Sequence, residues 1–129
     1  MTERRPFQYA VVRIVPRIER GEMLNAGVVL FCRYERFLRA RTELDERALA
    51  VLAGDCDATE LRAQLATIEA VAAGDPAGGR LAELPQSERF HWLTAPSSTI
   101  VQSSPVHTGL TADPAAELDR LFAALVSRP

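Results

Sequence analysis

The sequence predicts an α+β fold with a mostly antiparallel sheet, and three observations carry that prediction. Three β-rich segments open the chain in close succession, at residues 7–15, 26–33 and 37–42. Helical patterning then takes over between Asp45 and Gly74. An amphipathic segment, "DPAAELDRLFAALVSRP", closes the chain. Strands grouped ahead of helices, without βαβ alternation, favour an antiparallel sheet packed with three to four helices.

The first strand is "FQYAVVRIV", rich in β-branched and aromatic residues and ended by Pro16. Alternation places Phe7, Tyr9, Val11, Arg13 and Val15 on one face and Gln8, Ala10, Val12 and Ile14 on the other. Both faces are mostly apolar, which assigns this strand to the middle of the sheet. "AGVVLFCR" and "FLRART" follow as a second and third strand joined by the short "YER", an antiparallel meander. Asp45 and Gly54 bracket the first helix, "LDERALAVLAG". Asp57 and Glu60 resemble a capping box opening a second helix that Gly74 ends, with Leu61, Leu65, Ile68 and Ala72 as its apolar stripe. "GDPAGG" is a flexible turn, and "RLAELP" is expected to add one helical turn before Pro85. "RFHWL" and "STIVQS" are expected to be two short strands, with "SSPVHTGL" as a loop. Asp113 caps the last helix, with Pro114 at its first position and Leu118, Leu121, Phe122 and Leu125 facing inward.

With 129 residues, 47% apolar and 25% charged, the chain is expected to form one soluble domain spanning residues 1–129. No apolar run approaches the ~20 residues of a membrane helix, and no signal-like apolar segment follows the N-terminal arginines, so a cytoplasmic protein is expected. Cys32 and Cys56 are read as reduced thiols. The net charge of −2 hides an asymmetry: residues 1–41 hold nine Arg and four Glu, while residues 42–129 hold six Arg and thirteen Asp or Glu. Every basic side chain is arginine, whose fork suits carboxylate and phosphate.

Several chemistries lack their signature. "GDPAGG" has neither GxGxxG nor a GK[ST] ending, so it is a linker and not a phosphate loop. His91 and His107 stand sixteen residues apart without metal-ligand spacing, and neither a metal nor a cofactor is expected. Ser97, Ser98, Ser103 and Ser104 lie in turn-like sequence with no GxSxG elbow. Arg33, Arg39 and Arg41 could form a basic strip beside Phe37, but no nucleic-acid motif accompanies them, and a solvated strand edge is the simpler reading. Arg13 stands out because a guanidinium among Tyr9, Val11 and Val15 must be paired or must reach out at the strand end. Glu22 and Glu117 are its expected partners, and a ligand contact is the alternative.

In "PRIERGEMLNAGVVLF", Arg20 and Glu22 flank Gly21 in a charged turn, Asn25 tolerates turn geometry, and Gly27 marks a bulge or a close approach. That stretch, with "RFHWLTAPSSTIVQSSPVHTGL" and "LDRLFAALV", resembles the bacterial domain-of-unknown-function family three thousand and thirty-seven. The family block falls on Tyr9, Arg13, Pro16, Arg20, Glu22, Asn25 and Gly27, and near the far end on Pro105 and Gly109. The resemblance implies an accessory protein, often encoded beside a HipA-like kinase, and assigns no catalytic residue. Three functions are therefore carried forward. The first is a non-enzymatic interaction domain with a protein partner such as that kinase. The second is a phosphate- or carboxylate-binding or enzymatic domain built on Arg13, Glu22, Asn25, Arg89, Gln102 and His107. Nucleic-acid binding is third.

Overall fold

A computed structural model of the chain describes residues 3–128. It has one antiparallel five-stranded sheet. The strands are β1 (Arg5–Ile14), β2 (Leu24–Cys32), β3 (Phe37–Thr42), β4 (Val101–Ser103) and β5 (His107–Thr111). The order is β3-β2-β1-β4, with β5 pairing the other half of β1. β1 is thus hydrogen-bonded on both edges, as its two apolar faces require.

The helices are α1 (Glu46–Ala53), α2 (Ala58–Ala73), α3 (Gln86–Thr94) and α4 (Pro114–Leu125). Their starts are fixed by side chains that accept the orphan amides of a first turn. Asp45 accepts from Ala48, Asp57 from Thr59 and Glu60, and Asp113 from Ala116. The Glu60 carboxylate does not close a capping box; it accepts from Gln64 Nε2 at 3.3 Å. Gly74 ends α2 with φ 74°, a left-handed position that suits glycine.

Helices cover the sheet unequally. One face carries Val12, Ile14, Val29 and Phe31 and is packed by Leu49 of α1, Leu61 and Leu65 of α2, and Phe90 of α3. On the other face Phe7, Val28, Leu30 and Cys32 meet only α4, through Leu118, Leu121, Phe122 and Val126. Burying a side chain such as Leu118, 1% exposed, contributes about 1.5–3 kcal/mol. α4 lies over β2 and β3. Farther along this face, towards β5, His107 is exposed.

Leu125, expected to face inward, is exposed, and the expected turn "GDPAGG" leads into a 3-10 helix, Pro76–Glu83. Two assignments of sheet strands are also corrected. "RFHWL" lies in α3, because the helix begins upstream at Gln86, where the Pro85 carbonyl accepts from Glu88 and Arg89. Phe90 and Leu93, three residues apart, then pack together into the core, and tertiary packing overrides the strand propensity of three aromatic rings. The missing short strand is β5, inside the predicted loop. Gly109 makes its pairing with Phe7 feasible, since a Cβ there would lie 2.7 Å from the Phe7 ring.

β4 and β5 behave as one strand interrupted at Ser104–Val106. The register passes from Val12↔Ser103 to Tyr9↔His107, one residue out of step. Ser104 fills the gap: its Oγ accepts from the Val11 amide at 2.8 Å, and its own amide donates to the Val11 carbonyl at 2.8 Å.

Candidate functional site

A β-bulge decides which side chains gather. Along β1 and β2 the register runs Val12↔Gly27 and then Arg13↔Asn25, so Ala26 has no partner of its own. The extra residue shifts parity: Leu24 and Ala26 share the α1–α3 face with Val29 and Phe31. Asn25 consequently stands on the α4 face, directly across from Arg13. Gln102 of β4 opposes Arg13 on its other side, so Gln102, Arg13 and Asn25 form one row across three strands. Gly27 is needed for close packing, because a Cβ would sit 2.8 Å from both the Arg41 carbonyl oxygen and Thr42 Cγ2.

The row ends in a pocket of about 520 Å³ at the C-terminus of α4, lined by Arg13, Met23, Asn25, Leu125, Val126, Ser127 and Arg128. Asn25 Nδ2 donates to the Leu125 carbonyl at 3.1 Å and so ties the helix end to the sheet. Arg13 has no such tie. Its Nε is buried and has no hydrogen-bond partner among the described residues. Both carboxylates expected to pair with it are engaged elsewhere: Glu22 with Arg20 at 2.5 Å, and Glu117 with Arg120 on α4. The Arg128 guanidinium reaches Asp45 Oδ2 at 3.3 Å.

The other residues singled out from the sequence lie apart from this pocket. Gln102 shares the row but folds back to donate to the Thr99 carbonyl at 2.7 Å. His107 is exposed on β5 against Tyr9, with ring centroids 5.2 Å apart. Arg20 and Glu22 form an exposed pair in the β1–β2 turn, where the hydrogen bond lowers the Glu22 carboxyl pKa and raises that of Arg20. Arg89 is buried in α3 and spends its donors on carbonyls: Nη1 on Val71 and Ala72, Nε on Leu84. The hairpin arginines are likewise occupied. Arg39 lies 4.9 Å from the Phe37 ring centroid, and Arg41 lies 4.2 Å from that of Phe122 while pairing with Asp119 at 2.9 Å.

Met23, Ser127 and Arg128 belong to the pocket but were not legible as site residues. Met23 comes to Arg13 with the β1–β2 pairing, whereas Ser127 and Arg128 join it only because α4 docks its end against the bulge, a contact between residues about a hundred positions apart in sequence. Among the described residues no group of three or more His, Cys, Asp or Glu is placed to hold a metal, and no helix is long and apolar enough to cross a membrane.

A family model described as a protein of unknown function, DUF3037, matches residues 9–126, which takes in every position of the N-terminal block as well as Pro105 and Gly109. No curated protein and no solved structure matches.

Proposed function

The chain belongs to the DUF3037 family of proteins of unknown function, and we propose that it is a binding module whose Arg13–Asn25 pocket receives an anionic group. The observation that carries this reading is the buried Arg13 Nε without an acceptor. A donor shut away from water and left unmatched costs about 1–3 kcal/mol, and more on a charged group. Proteins rarely keep such a group without a use for it. The cavity beside it is large enough for a small metabolite or the end of a peptide. Ser127 adds a hydroxyl to the lining, and Asn25, held by Leu125, is already oriented.

Thermal melting with a panel of small carboxylates, phosphate, sulfate and nucleotides tests the proposal. At a ligand concentration of 100 Kd a site of this kind stabilises by about 2.7 kcal/mol. Some anion should raise the melting temperature of the native chain and leave Arg13→Met unmoved. If no anion at millimolar concentration moves the native chain, the reading fails.

A second reading is an accessory interaction domain engaging a HipA-like kinase. It draws support from Trp92 on α3, 58% exposed, since large exposed aromatic side chains are enriched at interfaces. Co-purification with a HipA-like kinase, weakened by Trp92→Ser, is the expected result. Failure to co-purify, together with no change in kinase activity, removes it.

A further inference from the structure

We infer, on the basis of the anion-binding reading above, that the Arg13 pocket takes a carboxylate with a short apolar body and discriminates against the phosphate dianion. The charge around the pocket supports one negative charge and not two. Arg128, the second arginine of the lining, is paired with Asp45 at 3.3 Å, whereas Arg13 makes no ion pair among the described residues. α4 also turns its C-terminal end to the pocket, where Asn25 takes the Leu125 carbonyl. That end of a helix carries about half a negative charge, the reverse of the amide-rich N-terminus that suits phosphate.

A carboxylate meets a guanidinium edge-on through two parallel N–H···O bonds, and Arg13, whose Nε has no hydrogen-bond partner among the described residues, lines the pocket. Met23 and Leu125, both partly exposed at the rim, present carbon to whatever the carboxylate is attached to. The predicted ligand class is therefore a small aliphatic carboxylate, or the carboxylate end of a larger molecule.

The test is an amide-resolved NMR titration of the full chain at pH 8 and constant ionic strength with isobutyrate, inorganic phosphate and neutral isobutyramide as probes. Isobutyrate should shift the amides of Arg13, Asn25 and Ser127 and bind at least about tenfold more tightly than phosphate. Isobutyramide should leave those amides in place. Arg13→Met should abolish the isobutyrate response, and so should Asn25→Asp, which adds a second negative charge to the pocket. Phosphate binding as tightly as isobutyrate at the same amides overturns the carboxylate inference while anion binding stands. No response to either anion, or an equal response to isobutyramide, overturns both. An isobutyrate response that survives both variants places the contact elsewhere and overturns the inference.

Discussion

Two arginines, Arg89 and Arg13, make the most instructive pair in the molecule. Both sit in partly or wholly buried surroundings beside the C-terminus of a helix. Arg89 Nη1 donates to Val71 and Ala72 at the end of α2, and its Nε donates to Leu84, so the side chain acts as a buried cap. Arg13 lies by the end of α4, yet there the carbonyl of Leu125 is taken by Asn25, and Arg13 Nε is left unmatched. The difference teaches that a buried cation is informative through its unspent donors. Where carbonyls consume them the residue holds the fold together, and where they go unspent beside a cavity that the residue lines, as at Arg13, the residue is a candidate for a ligand.

Substituting each residue in turn sharpens or breaks this contrast. The largest effect is expected for Arg89→Met, which strands carbonyls at the end of α2 and removes a close-packed side chain: a loss of about 3 kcal/mol in urea unfolding. A loss under about 1 kcal/mol would erase the distinction between the two arginines. Asn25→Ala frees the Leu125 carbonyl, which water can reach in part, and should cost about 1 kcal/mol. It should also speed amide exchange in the last turn of α4. Arg13→Met should raise stability by about 1 kcal/mol, because it removes an unmatched buried donor and keeps the aliphatic stem. A loss as large as that of Arg89→Met would show that Arg13 is structural.

The smallest effect belongs to the exposed turn. The hydrogen bond from Arg20 lowers the Glu22 pKa, so the pair favours the folded state above the unfolded-state pKa and loses that contribution as pH falls through the lower folded value. In full solvent this should leave the melting curve unmoved in Glu22→Gln. The carboxyl should nevertheless titrate below the usual glutamate range by NMR and return to it in Arg20→Ala.

Much of the scaffold was legible because its signals are local. Alternation along β1, the Asp caps and Gly74 each act within a few residues, and all appear where the sequence puts them. α3 was missed because its start lies upstream of the aromatic run that reads as a strand. β5 was missed because a short Thr-Gly segment acquires its strand character only from its pairing with β1. At the site, Arg13, Asn25 and Gly27 stood out in the sequence, but the expected ion partners did not meet Arg13. The parity shift at Ala26 could not be inferred from alternation alone, and it determines which face Asn25 joins. Arg89, grouped in the sequence with the candidate anion-site residues, instead donates to backbone carbonyls that no sequence pattern reveals.

The placement of β1 at the centre of the sheet also has a consequence in time. This strand begins at residue 5, yet the partners on one of its edges arrive only with residues 101–111, and the helix over Phe7 only with residues 114–125. As the chain leaves the ribosome, the β1–β2–β3 meander can pair early, but it must wait with a bare edge and a bare apolar face until residues 101–125 have been made. The Arg13 pocket therefore comes into being only when α4 settles over β2 and β3 and brings its C-terminal end to the bulge.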